Sequence, residues 1–146
     1  MLIVDNACTM IRFIRHIPPY LPTLLVVAAI CYLSLASDPF PDKERLFDFP
    51  GSDKVVHFIM YGGLTATFCF DYYRRSAESL KPRLFVVALV AAIALGAMME
   101  LLQSYMGVGR SGDVMDLVAN SLGALVGIIL GRKIFARLFA SYCLQK

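Results

Sequence analysis

Long apolar runs alternate with short polar connections along this chain, and four of the runs come close to the length a membrane demands. A bilayer core of about 30 Å is crossed by roughly 20 helical residues, because each residue advances a helix by about 1.5 Å. The first run, YLPTLLVVAAICYLSLAS, covers residues 20–37, and the second, KVVHFIMYGGLTATFCFDYY, covers 54–73. The third, RLFVVALVAAIALGAMMELLQSYM, covers 83–106; the fourth, VMDLVANSLGALVGIILG, covers 114–131 and is the least apolar. Residues 84–99 stay apolar without the in-and-out alternation of an outer-membrane barrel strand. The pattern predicts an all-α membrane protein, a single domain over residues 1–146 built as a bundle of about four transmembrane helices.

Composition agrees: only 17% of the residues are charged, against about a quarter in a typical soluble domain. The net charge of +3 gathers at segment ends instead of forming a basic stripe, so a nucleic-acid partner is not expected. Arg12, Arg15, Arg74, Arg75, Lys81, Arg83, Arg132, Lys133, Arg137 and Lys146 fall on one side of the bundle, against Lys43, Arg45, Lys54 and Arg110 on the other. Basic residues in short loops are retained in the cytoplasm. Both termini are therefore expected in the cytoplasm. An alternative makes the first run a cleaved signal peptide, since Arg12 and Arg15 precede an apolar stretch ending in Ser34-Leu35-Ala36. Cys8, Cys31, Cys69 and Cys143 show no paired spacing and read as small apolar residues.

In such an oily chain the polar side chains of MELLQSYMGVGRSGDVMDLVANSLGALVG, residues 99–127, need partners. Asp113, Asp116 and Asn120 share one helical face, as do Lys54, His57 and Tyr61 on the second helix and Gly96, Glu100 and Gln103 on the third. With the second helix running inward and the third outward, all three polar faces lie at one level just below the outer surface. An ionised side chain at the centre of a membrane helix costs about 2.5–3.5 kcal/mol, less toward the surface, so mutual pairing is the favourable arrangement. Lys54, His57 and Arg110 are expected to face Glu100, Asp113 and Asp116, with Gln103 and Asn120 as neutral partners. Gly123, Gly127 and Gly131 form a small-x-x-x-small series for close helix packing, as do Ala92 and Gly96. Gly107, Gly109 and Gly112 suit a tight turn around Arg110.

These residues resemble the VanZ-like family. ELLQSYMGVGRSGDVMDLVANSLGALVG looks like its signature: an E-x-x-Q pair closing one helix, a glycine-flanked arginine, an aspartate, then D-x-x-x-N-x-x-G opening the next. DKVVHFIMYGGL looks like the preceding block, and the match spans roughly residues 53–131. The resemblance implies a small bacterial integral membrane protein of about four helices; the founding member is linked to low-level resistance to the glycopeptide teicoplanin.

Three readings of the polar cluster follow. The first is an outward-facing site that binds or modifies an envelope ligand: a membrane lipid, a cell-wall precursor or a glycopeptide. Lys54, Gln103, Arg110, Asp113 and Asn120 would contact the ligand, arginine and lysine suiting phosphate or carboxylate. Catalysis would use His57 as general acid or base, Glu100 or Asp116 to orient it, and Arg110 to steady a developing anion; no serine or cysteine motif supplies a nucleophile. The second reading is a structural or interaction protein whose cluster only fixes helix packing. The third, proton movement, lacks a continuous path, since the inner half offers little beyond Thr65, Thr67 and Asp71. No cofactor is expected, and a metal site from His57, Glu100 and Asp113 lacks ligand pairs of tight spacing such as H-x-x-x-H.

Overall fold

The computed structural model describes residues 14, 16–36, 51–76, 79–106 and 113–143, with side chains as far as Phe139. Among the described residues four helices follow in order: α1 Leu21–Leu35, α2 Ser52–Tyr73, α3 Pro82–Met106 and α4 Val114–Cys143. No strand occurs among the described residues. Pro82 opens α3, where a missing N–H costs nothing. Gly51 precedes α2 with φ 86°, a left-handed conformation that glycine adopts without steric penalty.

By length and composition α3 and the Val114–Phe139 part of α4 are able to cross a membrane, whereas the apolar α1 has 15 residues. α2 has 22 residues but carries Asp53, Lys54, His57 and Asp71. Leu24, Leu25, Val86, Val90, Leu122 and Leu130 are exposed. In water an apolar surface that broad would drive association; in lipid it is the natural outer face.

The tightest pairing is α2 against α4, and the glycine series explains it. A Cβ on Gly123 would overlap the Phe58 carbonyl oxygen, and one on Gly127 would overlap the Gly62 carbonyl oxygen and the Thr65 hydroxyl. At Gly131 it would meet Ala66 Cα and Cys69 Cβ at 3.0 Å. Freed from side chains, the two backbones approach closely enough for Thr65 Oγ1 to donate to the Ala124 carbonyl at 2.9 Å. Cys69 Sγ donates to the Ile128 carbonyl at 3.6 Å. Close approach lets dispersion and interhelical hydrogen bonds act where lipid supplies little hydrophobic drive.

Sequence reading ends the fourth helix at Gly131, but α4 continues through the basic segment to Cys143. The apolar residues of that segment account for the difference. Phe135 and Phe139 pack on Phe70 with ring centroids 5.5 and 5.9 Å away, and Phe139 joins the buried cluster of Cys69, Tyr73, Leu80 and Ile128. The charges of Arg132, Lys133 and Arg137 do not stop a helix whose other face is covered.

A polar network at the far end of α2 has no counterpart in the sequence reading. Asp71 and Arg74 are fully buried and paired, Nε to Oδ1, at 2.7 Å. Arg74 also donates to the carbonyls of Ile14, Ile17 and Pro18 at 2.8, 2.9 and 2.7 Å. The other carboxylate oxygen of Asp71 accepts the backbone N–H of Thr23 at 3.0 Å and its hydroxyl at 2.5 Å. The first turn of a helix has N–H groups without intrahelical partners; for α1 that partner comes from α2.

Candidate functional site

About 25 Å along α2 from Asp71, by the rise per helical residue, a second polar cluster joins the N-terminal ends of α2 and α4 to the C-terminal end of α3. The i, i+3, i+7 spacing of Lys54, His57 and Tyr61 turns these side chains toward α3 and α4. Glu100 and Gln103 come from α3, Asp116 and Asn120 from α4, and Asp113 stands just ahead of α4. His57, Tyr61, Glu100, Gln103, Asp116 and Asn120 are buried, Asn120 completely. Gly96 makes room for Asn120: a Cβ there would lie 3.2 Å from both Cβ and Nδ2 of that asparagine.

Lys54 Nζ is 3.0 Å from Asp113, 3.2 Å from Asp116 and 3.2 Å from Asp53. One ammonium thus serves three carboxylates. His57 Nδ1 stands 3.4 Å from Glu100 Oε1. Glu100 accepts the backbone N–H of Asp113 at 3.3 Å and the Asn120 amide at 3.4 Å. Gln103 turns instead to α1, donating to the Ser34 carbonyl at 2.8 Å, which makes it a clamp on the end of that helix. Arg110 and the glycines around it lie outside the described residues.

Asp113 also caps α4. Its Oδ1 accepts the Met115 N–H at 2.9 Å, satisfying one of the helix's open donors. That hydrogen bond, with Lys54 second, holds the Asp113 carboxyl below its ordinary value. A carboxyl whose folded value is depressed adds stability above its unfolded value and loses it as pH falls through the folded one. The protection factor of the Met115 amide, its exchange rate corrected for the intrinsic pH dependence, is therefore expected to fall on acidification below the ordinary carboxylate range. Asp113→Asn should flatten that response; an equally steep response in the variant would assign it elsewhere.

The cluster retains unused hydrogen-bonding capacity. Among the described residues, His57 Nδ1, Tyr61 Oη and Asn120 Oδ1 are buried without a hydrogen-bond partner. Most buried polar atoms in folded proteins are satisfied, so three within one cluster need a reason. One nitrogen or oxygen from each of His57, Glu100 and Asp116 also lies within 4.8 Å of the other two.

The VanZ/LLP1 family profile matches residues 11–137 of this sequence. The chain belongs to the VanZ/LLP1 family. This VanZ/LLP1 chain is also 36% identical, over 83 residues, to the uncharacterized protein C11E3.10 of Schizosaccharomyces pombe. That stretch is 56% of the chain and 47% of the relative, so the chain spans about half the relative's length. No solved structure matches. Family and apolar helices together make this a membrane protein. With a similar protein in a yeast, family membership alone does not set a bacterial source.

The structure thus gathers His57, Glu100, Asp116, Asn120, Lys54 and Asp113, and directs Gln103 partly elsewhere. Sequence reasoning did not assign Tyr61 or Ser34. Tyr61 was already placed on the Lys54–His57 face by its spacing, but without a role. The Ser34 carbonyl was not, because a backbone acceptor at a helix end leaves no mark in residue type.

Proposed function

We propose that this VanZ/LLP1 protein spans the membrane four times and presents the Lys54–His57–Glu100–Asp116–Asn120 cluster away from the cytoplasm. There it binds an envelope ligand: a lipid head group, a cell-wall precursor or a glycopeptide. The observation that carries this reading is the unused capacity of His57, Tyr61 and Asn120 inside a buried cluster drawn from three helices. A network serving packing alone is expected to close its hydrogen bonds, as the Asp71–Arg74 network does.

The described groups are mainly acceptors, since Lys54 is already engaged by three carboxylates. They suit hydroxyl or amine hydrogens, or a cation. Anion recognition by lysine, the chemistry first read from the sequence, is weakened to that extent, leaving Arg110 as the cation for it. Among the described residues, His57 facing Glu100 is a pair suited to proton transfer, with Glu100 orienting the imidazole.

Detergent-free extraction with a surrounding lipid disc, followed by mass spectrometry of what co-purifies, tests the reading. One envelope component is expected to be enriched with the natural chain and depleted at least several-fold in His57→Ala and Asn120→Ala, at equal protein level. Identical extracts from all three proteins would refute ligand binding. A tag at Gly109 labelled only from the cytoplasm would refute the outward orientation.

A further inference from the structure

We propose that His57, Glu100 and Asp116 hold a divalent metal cation, with zinc the best-suited ion. The inference deepens the ligand-binding reading and rests on it for what the cation would do. One side chain comes from each of α2, α3 and α4, all three residues are buried, and one ligand atom of each lies within 4.8 Å of the others.

A zinc ion bonded at about 2.0–2.1 Å to nitrogen and oxygen in a tetrahedral shell sets neighbouring ligand atoms about 3.3 Å apart. The His57 Nδ1–Glu100 Oε1 separation of 3.4 Å has that length, yet the two atoms form no hydrogen bond. His57 is 7% exposed, so its unpartnered nitrogen faces protein and not solvent. In the tautomer that carries its proton on Nε2, His57 offers an Nδ1 lone pair beside two carboxylates, a donor set of the kind a borderline divalent ion takes.

Charge supports the same assignment. Glu100 and Asp116 are the buried carboxylates of the cluster, and Lys54 reaches Asp116, with the half-exposed Asp53 and Asp113, but not Glu100. Buried carboxylates are costly unless a cation compensates them. A divalent ion between Glu100 and Asp116 supplies that compensation and joins three helices at one point. With three protein ligands a tetrahedral ion retains one open position. That position accepts an oxygen of a phosphate, carboxylate or hydroxyl, so the same ion anchors an envelope ligand.

Spacing along the sequence could not reveal this set, because no two of its members share a helix.

The test uses the full-length, untagged chain in detergent, stripped with a chelator and titrated with zinc by calorimetry, with cobalt(II) as a spectroscopic stand-in. One equivalent of zinc is expected, with cobalt giving the visible bands of a low-coordinate site. Glu100→Gln and Asp116→Asn keep shape while removing a charged ligand, and each is expected to weaken binding at least tenfold; His57→Gln should do the same. Circular dichroism confirms that each variant is helical. Absence of saturable binding to the folded natural chain overturns the proposal, as does binding that all three variants leave unchanged. Zinc binding without a retained envelope component supports the cation and removes the ligand reading. A retained component without zinc binding does the reverse.

Discussion

Gly127→Val is expected to strip most of the folded protein from the membrane fraction. A Cβ at this position overlaps the Gly62 carbonyl oxygen and the Thr65 hydroxyl, and a helix carbonyl cannot step aside as a flexible side chain can. Overpacking a close-fitted interior costs about 1–3 kcal/mol, occasionally more; with backbone as the obstacle, this substitution belongs at the upper end. Separation of α2 from α4 would also break the Thr65–Ala124 hydrogen bond. Gly63 is the internal control, since a Cβ there meets nothing within 4 Å. Gly63→Ala should be neutral, or stabilising by up to about 1 kcal/mol through helix propensity. Protein level and thermal unfolding in detergent measure both. Equal behaviour of the two variants would show that the helices do not meet through this stripe.

Arg74→Met is the second large effect, at the opposite end. Removing one member of a buried ion pair strands the other and typically costs about 3–5 kcal/mol. Here Asp71 would keep its Thr23 donors but lose, at zero exposure, its ion-pair partner among the described residues. Replacing both partners with apolar residues often restores much of such a loss. Asp71→Leu with Arg74→Met is accordingly expected to be more stable than Arg74→Met alone, despite the carbonyls of Ile14, Ile17 and Pro18 that lose their donor. A double-mutant cycle of unfolding midpoints measures the coupling. Strictly additive losses would mean that the pair contributes nothing as a pair.

The four described helices were legible because long apolar runs have few other ways to satisfy their backbone, and the polar residues gave away their faces because helical spacing is rigid. Lys54, His57, Glu100, Asp116 and Asn120 could be placed on facing surfaces from their intervals alone. Which of them touch was not legible, since it depends on small rotations of α2 against α4. The choice of Lys54 for three carboxylates, leaving His57 to Glu100, is a result of those rotations. Asp71 and Arg74 were hidden for another reason. At the end of an apolar run an acid followed by arginine reads as the exit into water, whereas Ile14, Ile17, Pro18 and Thr23 return over that end and meet the pair. The tail of α4 was misjudged likewise, because its arginines and lysine drew attention from Phe135 and Phe139.

The carboxylate that closes the first turn of α1 belongs to a residue 48 positions later in the chain. During synthesis the first helix must therefore wait, its leading amide and threonine hydroxyl satisfied by transient partners, until α2 has emerged almost in full. Its settling is an event of the second helix's arrival, which gives assembly a chronology: α1 takes its final seat no earlier than Asp71 reaches it.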